Sequence, residues 1–298
     1  MPKILVTGGA GYIGSITAHL LVRHGYSVVV VDDLSRGHQH NIGRLPFHKL
    51  NLADTPAVAD LLAREAVDAV VHFAAYIAVG ESTQKPELYF SNNVGGTLSL
   101  LTAMARANVK RLVFSSTAAV YGTPEVVPIR EDSPFSPVNP YGESKVMVEK
   151  ILHWLDSYRE LRSIALRYFN ACGSDPESGL GEEHDPETHL IPLLLRAVVT
   201  GNPITIFGDD YETSDGTCIR DYIHVTDLAE AHVLAVEKLL AGGASDAFNV
   251  GTGTGHSVME VLNHPRLNHQ TEVRGGVLAG RSAELLQSFF RSRRAADR

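Results

Sequence analysis

Cysteine is scarce in this chain, with two residues, Cys172 and Cys218, in 298. Two thiols cannot build a disulfide framework, and their scarcity suits a reducing compartment. Long apolar runs are missing as well: no stretch reaches the ~18 residues that a membrane-spanning helix needs. Positive charge is in the minority, with 26 Lys and Arg against 34 Asp and Glu and a net charge of −8. That balance argues against nucleic acid or an anionic membrane as partner. The amino terminus opens straight into a strand pattern, without the features of a cleavable leader, so the expectation is a cytoplasmic protein. No internal repeat stands out. What is present is ordinary for a folded globule, at 44% hydrophobic and 20% charged residues, which excludes a disordered chain. A globule of ~300 residues buries about 75% of its unfolded surface, and this length suits one large domain or two unequal lobes.

Short β-branched runs recur with room for helices between them. Lys3–Thr7, Ser27–Val31, Ala69–Phe73, Leu112–Ser115 and Ser163–Leu166 are predicted strands, nearly continuous in apolar character, as strands buried on both faces of a parallel sheet are. Ile13–His24, Ala57–Arg64, Thr97–Ala107 and Tyr141–Tyr158 are the predicted helices between them. Alternating β and α elements imply an α/β fold with a doubly wound parallel sheet. The pattern changes after Tyr168. An acidic, Gly- and Pro-containing loop at Asp175–Glu187 precedes a predicted helix (Leu190–Thr200), strand (Ile204–Phe207), helix (Thr226–Leu240) and strand (Ala247–Val250). The expected division is 1–168 for the doubly wound domain and 169–298 for a smaller α/β lobe, with some segments returning to the first. Residues 263–298 stand apart: seven Arg against Glu272, Glu284 and Asp297 give +4, leaving 19 − 31 = −12 for the first 262 residues. Leu285, Leu286, Phe289 and Phe290 would share one face of a short helix there.

Gly9-Ala10-Gly11-Tyr12-Ile13-Gly14 matches GxGxxG, with Thr7-Gly8 ahead of it. The first glycines permit a tight turn, Gly11 lets the backbone approach a pyrophosphate, and Gly14 allows close helix packing. A bare GxGxxG is a weak signal, because glycine-rich turns without a ligand are common. Here it follows a strand, precedes a helix and opens a βαβ unit. Asp32 ends the second strand, where a carboxylate hydrogen-bonds a ribose 2′-hydroxyl and repels a 2′-phosphate. The expected cofactor is therefore NAD rather than NADP.

Asn139-Pro140-Tyr141-Gly142-Glu143-Ser144-Lys145 puts Tyr and Lys at i and i+4 behind an N-cap Asn and a first-turn Pro, hence on one helix face. A phenol is a poor base at neutral pH, and a neighbouring ammonium favours its ionised form. By itself Tyr-x-x-x-Lys is most often an ordinary surface pair. Ser115-Ser116-Thr117 ends a predicted strand, so its hydroxyls emerge where open α/β sheets bind ligands. The three features together are far more specific than any one.

At these residues the chain resembles the extended short-chain dehydrogenase/reductase family, and within it the nucleotide-sugar epimerases. The match runs through TGGAGYIGS (7–15), HFAAYIAVGES (72–82), NNVGGT (92–97), FSSTAAVYG (114–122), PYGESK (140–145), LRYFNACG (166–173), ETHLIP (187–192), the segment 206–232 and FNVGTGTGHSV (248–258), covering roughly 1–261. The resemblance implies interconversion of UDP-galactose and UDP-glucose by transient oxidation at sugar C4 with tightly bound NAD. Tyr141 is then the base, Thr117 its hydroxyl partner and Lys145 the tuning cation. It implies further that Gly8, Gly11, Tyr12, Ile13, Gly14, Asp32, Asn51, Leu52, Phe73, Ala74, Asn93, Ser115 and Tyr168, with Tyr141 and Lys145, form the NAD site. Asn170, Leu190, Phe207, Arg220 and Tyr222 would hold the UDP part of the substrate, beside Thr117 and Tyr141. A homodimer is implied too.

The chain departs from the family at three places. Asn51 stands where an acid commonly holds adenine, and Ile77 where some members have lysine. After Val261 the Arg-Arg-x-Gly-Asp motif is missing, and the remaining tail reads as an altered or truncated gene end. A 4,6-dehydratase of the same fold needs an added acid and base, and Ala118-Ala119 fill those positions, which argues against elimination. The alternative function is an NAD(H)-binding regulatory module or an inactive paralogue with a damaged substrate lobe. His184, Asp185, Glu187 and His189 crowd together, yet their spacing fits no standard zinc framework, so no metal is expected. Cys172 reads as a packed small residue rather than a nucleophile, and Trp154 and Leu155 as facing a core or a dimer interface.

Overall fold

The computed structural model describes residues 1–263. The expected helix at Leu285–Phe290 and the tail beyond 263 lie outside the described residues.

The first strands are β1 (Lys3–Thr7), β2 (Ser27–Asp32), β3 (Phe47–Lys49), β4 (Ala69–His72), β5 (Arg111–Ser115) and β6 (Arg162–Tyr168). Around them run helices α1 (Tyr12–Arg23), α2 (Thr55–Arg64), α3 (Val79–Gln84), α4 (Pro86–Tyr89), α5 (Gly96–Arg106) and α6 (Pro140–Arg159). Next along the chain come β7 (Asn170–Cys172), α7 (Leu190–Thr200), β8 (Ile219–His224), α8 (Val225–Leu240), β9 (Asp246–Val250) and β10 (Gly255–Ser257). Seven strands form one sheet in the order β3-β2-β1-β4-β5-β6-β9, every neighbour parallel. This is the expected doubly wound sheet.

The near-continuous apolar strands are explained by the two faces they serve. On β1, Ile4 and Val6 join a core with Val28, Val30, Val71 and residues of α1 and α8. Leu5, between them, joins a second core with Val29, Val31, Val70, Phe114 and residues of α2, α5 and α6. Side chains alternate across a strand, so a strand buried on both faces must be apolar at every position. Each fully buried Leu or Val contributes about 1.5–3 kcal/mol over its exposed state.

The strand order reverses at β1. The chain steps from β1 to β2 and β3 on one side, then returns to β4 and steps away on the other. The loops after β1 and β4 therefore diverge, and a crevice opens between them at the carboxyl ends of the strands. Both β9 and α8, although late in sequence, belong to this layer: β9 pairs with β6, and α8 packs against α1 through the shared core. A separate three-stranded sheet, β10-β8-β7, stands above the crevice and carries residues 170–172 and 219–224.

Helix boundaries follow their caps. Asp54 Oδ1 accepts the Ala57 N–H with Pro56 in the first turn, so α2 starts at Thr55, two residues before the predicted start. Asn139 Oδ1 accepts the Gly142 N–H at 2.8 Å, and Pro140 opens α6 as expected. One predicted element is corrected: Ile204–Phe207 forms no strand, since Phe207 is 85% exposed and no neighbouring strand completes a ladder for it. The short elements β3, α3, α4, β7, β8 and β10 are absent from the sequence-based expectation, as is a π-helical turn at Phe90–Gly95. Their segments are polar and lack a clean period.

Candidate active site

A cavity of about 2320 Å³ runs from the glycine loop to β8 and is lined, among others, by Gly8, Asp32, Thr117, Tyr141, Asn170 and Arg220. Single-ligand pockets are typically ~300–1,000 Å³, so this cleft has room for two ligands end to end.

The cofactor end is built by close backbone approach. Gly8 has φ +71°, and a Cβ there would lie 2.5 Å from Ala74 N at the end of β4. A Cβ on Gly14 would lie 2.3 Å from Gly8 O, so α1 begins flush against the loop. The first N–H groups of a helix lack intrahelical partners, and here Gly11, Tyr12, Ile13 and Gly14 line the cavity. A diphosphate fits this cradle, where the donors and the helix dipole both favour an anion.

Asp32 closes the next wall. Its Oδ2 accepts the Ala10 N–H at 3.0 Å and its Oδ1 the Leu34 N–H at 2.8 Å. Burial pushes its carboxyl up, against the pull of those two backbone bonds. Asn51 donates to Asp33 Oδ2 at 2.8 Å and caps the Ala53 N–H through Oδ1; Asn51 and Leu52 line the cavity, with Phe73 and Ala74 opposite. Tyr12 Oη donates to Gly173 O at 2.7 Å.

Three expected cofactor residues support the wall from behind and are absent from its lining. Asn93, 2% exposed, sits in the π-helical turn and clamps the Tyr76 backbone through both side-chain atoms at 2.8 and 3.0 Å. Ser115 Oγ lies 2.6 Å from Tyr168 Oη. Lys145 is 3% exposed and donates from Nζ to Ser115 O at 2.8 Å.

The reacting group is Tyr141, at the start of α6 and 7% exposed. Lys145, one turn on, holds its Nζ 5.9 Å from the Tyr141 ring centre. Thr117 leaves the end of β5, accepts the Ala119 N–H at 3.2 Å and stands on the Tyr141 side of the site, where its hydroxyl favours the ionised phenol. Burial raises the Tyr141 pKa above the ordinary phenol value, Tyr168 adds to that, and the nearby Thr117 hydroxyl opposes it. Burial also pulls Lys145 down to about 7, with Glu149 resisting. A buried phenol and a buried amine held this close are poised to exchange charge once a further positive group enters the site.

At the far end, Asn170 and Arg220 line the cavity. Asn170 Nδ2 donates to Asp221 O at 3.1 Å, tying β7 to β8. Leu190 and Tyr222 fall outside the lining, as does the exposed Phe207. Sequence reasoning missed Asp221, whose carboxylate binds Thr252 N at 3.0 Å, Thr252 Oγ1 at 2.7 Å and Gly253 N at 2.8 Å and so shapes the loop after β9. It also missed His232 on α8, fully buried, its ring 4.6 Å from Phe73. An isolated His in an apolar helix gives no sequence signal of either role.

The His/Glu cluster differs from its spacing-based grouping. Glu182, His184, Glu187 and His189 bring their ligand atoms within 4.8 Å of one another, with Glu182 in place of Asp185. His184 Nδ1 and His189 Nδ1 lie 3.0 and 2.7 Å from Glu182 Oε1. Burial works against charge on Glu182, and the two imidazoles outweigh it, leaving its carboxyl below the usual range. His189 is raised, chiefly by its bond to Glu182. The four groups satisfy one another as imidazole–carboxylate pairs. Cys172 is packed on β7, its thiol pushed up by burial, which fits packing rather than nucleophilic use. Trp154 is 59% exposed, whereas Leu155 packs on the second core.

The profile of the NAD dependent epimerase/dehydratase family matches residues 4–251. The chain belongs to this family. Among epimerase/dehydratase relatives, the UDP-glucose 4-epimerase of Lactobacillus helveticus is 50% identical over 262 residues, spanning 87% of this chain and 79% of that protein. The solved UDP-glucose 4-epimerase of Brucella ovis in complex with NAD superposes with a TM-score of 0.86 at 46% identity, covering 93% of this chain and 87% of that one. The Stenotrophomonas maltophila enzyme with bound NAD and formylated UDP-arabinopyranose gives 0.84 at 40% identity, covering 93% and 88%.

Proposed function

We propose that this epimerase/dehydratase family member interconverts UDP-galactose and UDP-glucose at sugar C4 with bound NAD. The observation that carries the reading is that Thr117 and Tyr141 line one continuous cavity with Lys145 held directly behind its wall. The glycine cradle lies at one end and Asn170 with Arg220 at the other. The relatives' activity and the NAD and UDP-sugar complexes among similar structures support it.

When bound, NAD supplies a cationic ring that takes a hydride from C4 and returns it. Tyr141 removes the 4-hydroxyl proton as that hydride leaves, so the sugar becomes a 4-ketone. Lys145 and the Thr117 hydroxyl favour the phenolate form of Tyr141 that this requires. After the 4-ketone has turned about its link to the diphosphate, Tyr141 would give the proton back to the C4 oxygen as the opposite epimer forms. The net reaction is an isomerisation. Arg220, whose planar fork pairs with phosphate oxygens, holds the diphosphate while the sugar turns. The asymmetry between a firmly held nucleotide and a loosely held sugar permits rotation. Phe207, Leu190 and Tyr222 complete the UDP site in this reading.

Two copies pair through α5 and α6 in this reading, because these helices expose Leu98, Met147, Trp154 and Tyr158, with Trp154 and Tyr158 stacked at 5.8 Å. The free cysteines suit the cytoplasm. Among the described residues no helix is long and apolar enough to cross a membrane.

The test is conversion of UDP-galactose to UDP-glucose by purified protein without added cofactor, followed by chromatography. Turnover that Tyr141→Phe lowers by about 10³-fold is the expected result, within the range for loss of a general base. Full activity in that variant would refute the assignment of the base.

A further inference from the structure

One turn past Lys145 on α6, Glu149 is buried, its side chain 8% exposed. Its carboxylate meets two partners, one just after β5 and one on β6. Ser116 Oγ donates to Oε1. Arg167, itself 7% exposed, donates from Nε to both oxygens at 3.1 Å and from Nη2 to Oε2 at 2.7 Å. The guanidinium's remaining arm reaches Tyr121 Oη at 2.7 Å and Glu131 O at 2.9 Å. Tyr121 Oη in turn donates to Asn249 Oδ1 at 2.7 Å, at the end of β9.

The sequence neighbours of these partners are the residues of the site. Ser116 precedes Thr117, Arg167 precedes Tyr168, and Glu149 follows Lys145 by one helical turn. The three-residue segment Ser115–Thr117 is held at every position. Ser115 O accepts from Lys145, Ser115 Oγ meets Tyr168 Oη, Ser116 reaches Glu149, and Thr117 Oγ1 accepts the Ala119 N–H.

Stability alone gives a weak reason for such a pair. Replacing a buried ion pair by packed apolar groups is often neutral or stabilising, because desolvation offsets the attraction. A planar fork on a carboxylate does fix mutual orientation, which apolar packing does not.

We propose that Glu149 is a positioning residue: through Ser116 and Arg167 it locks the end of β5, the end of β6 and α6 in register, so that Thr117 and Lys145 meet Tyr141 in the geometry for proton transfer. Its kinetic readout rests on the epimerase reading above. Misplacement of a reacting group by ~1 Å lowers rate by about 10²-fold, so the effect falls on kcat rather than on nucleotide binding.

Ser116→Ala removes one arm and leaves the Glu149–Arg167 pair whole. The expected result is a kcat of the folded protein lower by about tenfold, roughly one hydrogen bond's worth, with KM and retained NAD unchanged. Glu149→Gln should lower kcat of the folded fraction by about 10²-fold, and the two changes together should lose less than the product of the separate losses. An unchanged kcat in Ser116→Ala overturns the proposal. So does a Glu149→Gln protein whose loss tracks only its folded fraction.

A second readout needs no substrate: the phenolate absorbance of the NAD-bound protein against pH, minus that of its Tyr141→Phe counterpart. The titratable groups facing Tyr141 are Lys145 on its own helix, Tyr168 from β6 and Tyr89 from α4. Displacement of the Thr117 hydroxyl, which favours the ionised phenol, should raise the midpoint in Ser116→Ala, and an unshifted midpoint counts against the proposal. An unsubstituted protein that fails to turn over UDP-galactose strikes the epimerase reading instead, and this titration then decides the positioning role.

Discussion

The two ends of the cleft are built on different principles. The cofactor end is made of backbone pressed against backbone, at Gly8 and Gly14, and of side chains buried behind the wall, such as Asn93 and Ser115. The end near β8 is lined by side chains on more exposed segments, Arg220 among them, and Phe207, proposed for the substrate site, is almost wholly in solvent. A group that is bound throughout the catalytic cycle is served by a rigid, preorganised cradle, because ordering is completed on folding rather than on binding. The difference teaches where substitutions should damage folding and where they should damage only affinity.

The sharpest way to break this contrast is Gly14→Ala. The new methyl group would sit 2.3 Å from Gly8 O, backbone that has no rotamer to yield. Such overpacking costs about 1–3 kcal/mol, and the variant should melt earlier and be purified without NAD. A variant that keeps both its melting temperature and its cofactor would show the cradle to be adaptable after all.

The next effect is a difference in pH response between the two ends. Behind the cofactor wall, His72 bridges Thr7 and Thr97 at 2.7 and 2.8 Å, and burial holds its pKa down at about 3; burial likewise holds His232 at about 4. Their folded values lie below the unfolded value near 6.5, so the stability they contribute is present above pH ~6.5. It is lost as pH falls toward 3–4, at up to about 1.4 kcal/mol per unit per group. His189 has the opposite sign, because its bond to Glu182 raises its pKa. Its contribution is complete below pH ~6.5 and lost as pH rises through the raised value. Urea midpoints measured from pH 4 to 8 should show His72→Gln flattening the acid limb and His189→Gln flattening the neutral limb. Identical profiles for the two variants would erase the distinction.

Smaller still is Arg220→Ala. KM for UDP-galactose should rise about tenfold, the magnitude of one charge-assisted contact, with kcat and melting temperature nearly unchanged. The smallest effect belongs to Phe207→Ala. Stability should stay within about 0.5 kcal/mol, as for an exposed position, while KM rises a few-fold. An unaltered KM would remove Phe207 from the substrate site.

Much of this was legible in residues 1–168. Strands buried on both faces declare themselves by unbroken apolar runs, and Gly9–Gly14, Asp32, Ser115–Thr117 and Tyr141–Lys145 are local patterns whose chemistry depends on neighbours a few residues away. Helix ends followed where a cap was visible, as at Asn139 and Pro140. Legibility failed where structure depends on distant partners. Ile204–Phe207 has a strand's composition and no strand to pair with. The polar segment 79–95 forms two short helices and a π-helical turn, because Tyr89 and Asn93 find hydrogen-bond partners at Ala78, Glu81 and Tyr76. Spacing alone also grouped Asp185 with the histidines, where the fold brings in Glu182.

The sequence by itself determined the layered α/β architecture, the dinucleotide cradle and the Tyr–Lys pair, because each is written in periodicity or in contacts within one turn or one βαβ unit. Only the tertiary structure decided that Glu149 on α6, Ser116 after β5 and Arg167 on β6 would share one buried network, 18 to 51 residues apart in the chain. It also decided that Asn93 and Lys145 stand behind the cavity wall rather than in it. Hydrogen bonds are short-ranged and directional, so which buried polar groups meet is set by how strands and helices stack, and no local pattern carries that information.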